Sequence, residues 1–474
     1  MTATNLPDLQ QVNLHQVNEA HIIGIGGAGM SAIARVLQGK GLRVHGSDQR
    51  QSTLTDALDA EGIPVAIGHA AGNLGQADLV LISSAVREDN VEVQAAKQRA
   101  IPVLDRPQFL GALTDGYDVI AIAGAHGKTT VTGMTTLLLL EAGLDPTYIV
   151  GGVMADLGTN ACAGSGKHFV IEADEYQNTF LALKPTIAVV TNVEFDHPDS
   201  FPSTRFVRMA FGNFVDNIRA GGTLIACNDD ELAHAIGASY HANGGNLMLY
   251  GQNEGIGLTW RAAHIRANEQ GGVSFTAMQG TAVTGDINLR VPGSYNAVNA
   301  LAVLGIASVL GIKWAVARTA LERFKGTARR FEILGDVDGI IVIDDYAHHP
   351  TQIRNVLQAA RLRYPGRRLV AVWEPHTFSR IKALHADFMT AFVDADRVFV
   401  LPIYAAREID DGALTSDILA QQIAHPSVDA FTTLEEAIFR LTEQAQTGDV
   451  IMMMGAGNEY IVGKRLVLEL ERTS

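Results

Sequence analysis

Only two cysteines, Cys162 and Cys227, occur in 474 residues. That excludes a disulfide framework and a structural zinc site built from four cysteines. Basic charge is also in short supply: 36 Lys and Arg against 51 Asp and Glu leave a net charge of −15. A general nucleic-acid or anionic-membrane binder needs a basic face, so both classes are disfavoured. Anionic substrates stay open, because a few local N–H groups and cations override the global sign. No apolar run is long enough to span a bilayer; the longest, Ala300 to Ile312, is interrupted by Gly305, Ser308 and Gly311. The N-terminal stretch from Met1 to Ala20 is polar and lacks the apolar centre of a signal peptide. Proline is sparse at 14, whereas glycine is abundant at 47. The length calls for about two to four domains. A cytoplasmic, multidomain, glycine-rich protein is expected.

Three stretches alternate strand and helix, which argues for parallel α/β sheets. In the first, the apolar run His21–Ile25 leads through glycines into a helical stretch from Met30 to Gly39, and strands are expected at Leu42–Gly46, Leu79–Ser83 and Ile101–Leu104. The pattern restarts with a strand at Tyr117–Ala123 and a helix at Thr129–Ala142. A third start at Ile340–Ile343 is followed by a helix at Thr351–Tyr364 and strands at Arg368–Trp373 and Val450–Met454. Boundaries near Ala112 and Lys325 give domains 1–112, 113–325 and 326–474. The fold class is α/β, with extra β structure expected between Gly221 and Gly293.

Two glycine turns carry chemistry. Gly24-Ile25-Gly26-Gly27-Ala28-Gly29 reads G-x-G-x-x-G between a strand and a helix, which suits a diphosphate at the helix N-terminus, with Asp48 where a ribose-binding carboxylate belongs. The second turn, Gly124-Ala125-His126-Gly127-Lys128-Thr129-Thr130, has the form of a triphosphate loop. There the backbone N–H groups wrap phosphate, Lys128 reaches the β/γ oxygens and the Thr129 hydroxyl can ligate Mg²⁺. Ile122 stands where the full motif has its first glycine. Acidic clusters follow two strands of the same expected sheet, Glu172-Ala173-Asp174-Glu175 and Glu194-Phe195-Asp196-His197. Carboxylates and a histidine at strand ends can hold Mg²⁺. Further on, His348, His349, His376 and Arg380 suit carboxylate and phosphate groups better than zinc, since no cysteine or His-Glu-x-x-His pattern accompanies them.

Taken in order, these stretches resemble the Mur ligase family over nearly the whole chain. The resemblance rests on residues 21–30, 124–130, 172–176 (Glu-Ala-Asp-Glu-Tyr), 344–350 (Asp-Asp-Tyr-Ala-His-His-Pro), 374–380 (Glu-Pro-His-Thr-Phe-Ser-Arg) and 454–457 (Met-Gly-Ala-Gly). It implies a Rossmann-like N-terminal domain for a UDP-sugar, a central ATPase domain and a Rossmann-like C-terminal domain. The activity implied is an ADP-forming ligase of peptidoglycan precursor biosynthesis, joining L-alanine to the carboxylate of UDP-N-acetylmuramate through an acyl phosphate. The alternative within the family is a recycling ligase that adds a preformed tripeptide. By position, the resemblance puts Lys128 on the transferring phosphate, Thr129 and Glu172 on one Mg²⁺, and His197 on a second. It puts Asn296 and Asn299 at adenine, and Arg330 and Asp345 at phosphate and ribose. Tyr346, His348, His376 and Arg380 line the alanine pocket, and Gly24, Gly26, Gly27, Ala28, Gly29, Met30 and Asp48 take the UDP-sugar. A monomer or weak homodimer is expected, with no nucleic-acid or membrane partner. Four positions depart from the family pattern: Ala125, Tyr176, Tyr295 and Thr377. An NAD-dependent dehydrogenase would explain the first glycine turn but leaves Gly127-Lys128-Thr129 without a role. A binding protein that hydrolyses ATP without ligation is the third class.

Overall fold

The computed structural model describes residues 14–254, 257–410 and 412–473. Most of the polar N-terminal stretch, through residue 13, lies outside them. Three sheets follow one another along the chain. The first holds β1 (Glu19–Ile23), β2 (Arg43–Asp48), β3 (Val65–Ile67), β4 (Leu79–Ile82) and β5 (Val103–Asp105). Its order is β3-β2-β1-β4-β5 and every pairing is parallel. The order reverses beside β1, so the glycine turn after β1 opens into the crevice where open α/β sheets bind ligands.

The second sheet has ten strands. They are β6 (Asp118–Ala123), β7 (Thr147–Ile149), β8 (Ala161–Cys162), β9 (His168–Glu172), β10 (Ile187–Val190), β11 (Thr223–Cys227), β12 (Asn246–Gly251), β13 (Leu258–Ala267), β14 (Val273–Gln279) and β15 (Ala282–Asn288). Their order is β15-β14-β13-β12-β11-β10-β6-β9-β7-β8. The strands from β7 to β13 across the middle pair in parallel, and β13, β14 and β15 form an antiparallel meander. The extra β structure expected after Gly221 is therefore present, although the helix Glu231–Ala242 and two parallel strands share that segment. Strand β6 is buried along Val119–Ala123, and its neighbours β9 and β10 are nearly all apolar, as strands covered on both faces must be.

The third sheet comprises β16 (Glu332–Val337), β17 (Ile340–Asp345), β18 (Leu369–Trp373), β19 (Arg397–Val400), β20 (Val428–Ala430) and β21 (Val450–Met454), in the order β16-β17-β21-β18-β19-β20. Only the edge strand β16 is antiparallel to its neighbour.

The helix Lys128–Glu141 is buried nearly all round, threonines included, and lies under the helices Ser294–Val309 and Trp314–Arg323. Inside it Thr132 and Thr136 satisfy their hydroxyls on the carbonyls of Lys128 and Thr132. A continuous core joins the first sheet to the second: the helix Ala28–Gly39 packs on β7 and β8, close enough that a Cβ on Gly39 would stand 2.9 Å from that of Ala163. Among the described residues no helix is long and apolar enough to cross a membrane.

Candidate active site

The second glycine turn leaves the C-terminal end of β6. Gly124 has φ +142°, and a Cβ there would meet the Thr191 hydroxyl at 1.9 Å. Gly127, φ +81°, caps the helix Lys128–Glu141 so closely that a Cβ would stand 2.7 Å from Asn299 Oδ1. Both positions need glycine for space and for backbone conformation. The turn is held from β10: Ala125 N–H donates to the Asn192 carbonyl (3.2 Å), and His126 N–H to Asn192 Oδ1 (2.8 Å). The first-turn N–H groups of Lys128, Thr129 and Thr130 have no acceptor within the helix, which leaves them for an anion.

Lys128 Nζ donates to the Gly124 carbonyl (2.5 Å) and to Glu175 Oε2 (2.7 Å). Burial alone would depress its pKa, but Glu175, Asp174 and Glu172 outweigh it and the net shift is upward. Glu172, at the end of β9, accepts Gly151 N–H at 2.9 Å. Burial raises its pKa, against the pull of Lys128 and Arg330. His197 adopts φ +55°, unusual for a side chain of its size, and its Nε2 lies 3.9 Å from Glu175 Oε1. Thus Lys128, Thr129, Glu172 and His197, far apart in sequence, gather at the ends of three adjacent strands.

The nucleotide-sized space lies beside them. A cavity of about 390 Å³ is lined by His126, Gly127, Thr129 and Thr130, by Asn296 and Asn299, and by Arg330 and Asp345 from the third domain. Tyr295 lines it too, where the family pattern has histidine. Asn299 donates to Asn296 Oδ1 (3.0 Å), and Asn296 donates to the Pro292 carbonyl (2.7 Å), which fixes both amides. Asp345 accepts the Phe331 N–H at 2.8 Å, and burial lifts its carboxyl to about 6 despite Arg330 nearby.

On the far side of His197 a second polar group forms across the domain boundary. Asp196 Oδ1 accepts Arg380 Nε at 2.6 Å, both side chains being almost fully buried. Arg380 Nη1 lies 2.8 Å from His376 Nδ1, and His348 Nε2 lies 3.6 Å from Asp196 Oδ2. Tyr346 packs edge-on against His348, and His376 stacks on Tyr404. Burial, reinforced by Arg380, holds His348 far below the usual imidazole range and His376 at about 4, so both rings are neutral. A forked cation flanked by neutral imidazoles suits a small carboxylate.

In the first domain Gly24, Ile25 and Gly26 N–H groups are already used, the first two by the Ser47 carbonyl and the third by Asp48 Oδ2 at 2.9 Å. Asp48 therefore braces the glycine turn itself. The N–H groups at Ala28, Gly29 and Met30 open the helix Ala28–Gly39 and remain for an anion. Arg106 overlies this end: a Cβ on Gly29 would meet its guanidinium at 3.0 Å, and its buried Nε has no hydrogen-bond partner. Its Nη1 lies 3.5 Å from Asp174 Oδ2 of the second domain.

Family models match all three parts of the chain: the Mur ligase family catalytic domain at residues 19–118, the Mur ligase middle domain at 122–307, and the Mur ligase glutamate ligase domain at 329–457. The chain belongs to the Mur ligase family. A UDP-N-acetylmuramate–L-alanine ligase of Caldanaerobacter subterraneus is 39% identical, covering 97% of this chain and 99% of its own. One from Frankia casuarinae is 40% identical over 96% and 98%. Among solved structures, UDP-N-acetylmuramate–alanine ligase MurC of Thermotoga maritima superposes with a TM-score of 0.81 at 28% identity, covering 96% of this chain and all of that one. A murein peptide ligase from Psychrobacter arcticus gives 0.73 at 26%, over 95% and 98%.

In this Mur ligase the third and second domains meet through residues that motif reading passed over. Glu175 holds Lys128, Glu194 and Gln352 hold His126, Asp196 holds Arg380, Arg329 lies over the Tyr346 ring, and in the first domain Arg106 overlies Gly29. Glu175, Glu194 and Asp196 stood in acidic clusters visible in the sequence, but only the packing shows which carboxylate faces which cation. Arg106 and Gln352 carry no motif signal. Thr377, where the family pattern has arginine, sits at φ +63° before the helix Phe378–Ala383. Tyr176 donates its hydroxyl to Asp199 at 2.9 Å and packs its ring beside His197.

Proposed function

We propose that the chain is an ATP-dependent ligase that joins L-alanine to the lactyl carboxylate of UDP-N-acetylmuramate, forming ADP and phosphate for peptidoglycan precursor synthesis. The observation that carries this reading is the full-length identity of about 40% to ligases of that specificity. The arrangement of the site supports it. ATP would fill the cavity between the second and third domains, its phosphates on the first-turn N–H groups of Lys128–Thr130 and its adenosine toward Asn296, Asn299 and Asp345. The UDP diphosphate would lie at the start of the helix Ala28–Gly39, with Arg106 above it. Arg380, His376, His348 and Tyr346 would receive the alanine carboxylate.

Chemistry then follows from proximity. The muramate carboxylate oxygen attacks the γ-phosphorus, the bond to the β-phosphate oxygen breaks, and ADP leaves. Lys128, freed from Glu175, balances the charge on the transferring phosphoryl group. The alanine amine attacks the acyl phosphate carbonyl, an amide forms, and phosphate departs with the former carboxylate oxygen. Holding three reactants at one domain junction supplies much of the rate.

Magnesium fits the residues present. The Thr129 hydroxyl and the half-buried Glu172 carboxylate are hard oxygen donors, and His197 offers a nitrogen 3.9 Å from Glu175, the carboxylate that holds Lys128. Bound there, the metal would offset phosphate charge. A reaction that consumes ATP is consistent with a cytoplasmic location. Phosphate release with ATP, Mg²⁺ and UDP-N-acetylmuramate, run against single amino acids and against a tripeptide, tests the specificity. L-Alanine should give the highest kcat/KM; a tripeptide preference would overturn it.

A further inference from the structure

Gln352 touches the segments that the proposed function assigns to two different reactants. It sits in the first turn of the helix Pro350–Arg363. Its Oε1 accepts the backbone N–H groups of His348 (3.0 Å) and His349 (3.3 Å), closing the capping box of that helix. Its Nε2 lies 2.8 Å from His126 Nδ1, in the phosphate loop of the other domain. Backbone N–H groups can only donate, so the amide oxygen must face them and the amide NH₂ must face His126. His126 Nδ1 is then the acceptor, and its Nε2 carries the ring hydrogen and donates to Glu194 Oε2 at 2.9 Å. The ring is held at both nitrogens, and Asn192 holds its backbone at both N–H and C=O.

The same bonds decide what this cluster is. His126, Glu194 and His349 bring ligand atoms within 4.8 Å of one another, a donor set that would suit zinc. Ligation through His126 Nε2 would need the ring hydrogen on Nδ1, facing the amide donor of Gln352. Turning that amide over would break both bonds to the backbone of His348 and His349. The cluster is a hydrogen-bonded joint between domains, and Gln352 is its hinge pin.

We infer that Gln352 is a positioning residue: it orients His126, and through it the phosphate loop, in the docked arrangement where nucleotide and amino acid meet. The contact to His126 exists only when the third domain lies against the second. An interaction made only in the arrangement that reacts raises kcat and leaves substrate KM values alone. The inference rests on the ligase reading, because that reading makes residues 346–349 and the phosphate loop parts of one reaction.

Two variants separate positioning from capping. Gln352→Met removes both the acceptor and the donor. Gln352→Glu keeps an acceptor for the two backbone N–H groups but carries no N–H to donate to His126 Nδ1. Both variants should lose about tenfold in kcat, the effect of one hydrogen bond, with KM for ATP and alanine within roughly twofold of wild type. Wild-type kcat in Gln352→Glu would mean that capping is the whole role and would overturn the inference, as would a loss confined to KM. Should Gln352→Met fail to fold, Gln352→Glu decides alone. Absence of alanine-dependent ligation in the wild type would count against the ligase reading instead.

Discussion

Arg380 and Asp196 meet at 2.6 Å across the boundary between the third and second domains, each side chain no more than 5% exposed. The pair joins the expected alanine pocket to the strand end that carries His197. Burial works against Asp196 ionising, but Arg380, His197 and His348 outweigh it and hold its carboxyl well below the usual range. A buried pair of this kind is costly to break, because removing one partner strands the other charge. Arg380→Lys preserves the charge but not the fork that reaches Asp196 through Nε and His376 through Nη1. The expected outcome is a KM for alanine raised tenfold or more, roughly 1.4 kcal/mol, with the KM for UDP-sugar little changed. Steady-state kinetics with each substrate varied in turn provide the check; equal losses for both would remove Arg380 from the alanine pocket.

Lys128→Ala should reduce turnover by more than about a hundredfold, on the order of 3 kcal/mol of transition-state stabilisation. It also leaves Glu175 buried without its cation, so the melting temperature is measured alongside. Near-normal turnover by a folded variant would contradict the phosphate-loop assignment.

Arg106 offers a test of the first domain. Its guanidinium overlies the start of the helix Ala28–Gly39, and its Nε lacks a partner. Arg106→Ala should raise the KM for the UDP-sugar about tenfold and leave those for ATP and alanine within roughly twofold, consistent with loss of one charge-assisted bond. A change confined to ATP would place Arg106 elsewhere in the reaction.

Much of this arrangement was legible in the sequence, for a physical reason. Parallel strands covered on both faces read as short apolar runs, and a glycine turn before a helix marks a phosphate site. Hence β1, β6, β17, β18 and β21 lie where the apolar runs predict them. The short edge strands β3, β8 and β20 give no pattern to be seen, whereas the equally short β5 is marked by the apolar run Ile101–Leu104. The place of Asp196 was hidden for a different reason. His348, His376 and Arg380 were expected together, but Asp196 ends a strand of the second domain, and only domain docking brings it to them. Asp48 reads from spacing as a ribose ligand; in the structure it accepts the Gly26 N–H, a bond that spacing cannot reveal.

Asp344 gives a pH-dependent expectation. Burial lifts its carboxyl to about 7, against the attraction of Arg329, and its Oδ1 has no hydrogen-bond partner. The folded state therefore holds a proton that the unfolded state releases near the ordinary aspartate value, ~3.9. Stability attributable to this group falls as pH rises from about 4 to about 7, then levels off. Asp344→Asn removes that dependence. Its advantage over wild type should be absent near pH ~4 and grow to the order of 2 kcal/mol by pH ~8, after allowing for the contact Arg329 loses. Denaturant unfolding at the two pH values measures it; an advantage that shrinks as pH rises would contradict the sign.

The central claim is that the sugar carboxylate is activated by the γ-phosphate before the amine attacks, and oxygen tracing tests it most directly. UDP-N-acetylmuramate labelled with ¹⁸O in its lactyl carboxylate is turned over with ATP, Mg²⁺ and L-alanine, and the released phosphate is analysed by mass spectrometry. The account predicts one carboxylate oxygen in each phosphate released and one alanyl residue gained by the sugar nucleotide for each ADP formed. Unlabelled phosphate, or ADP formed without an alanyl product, would contradict it.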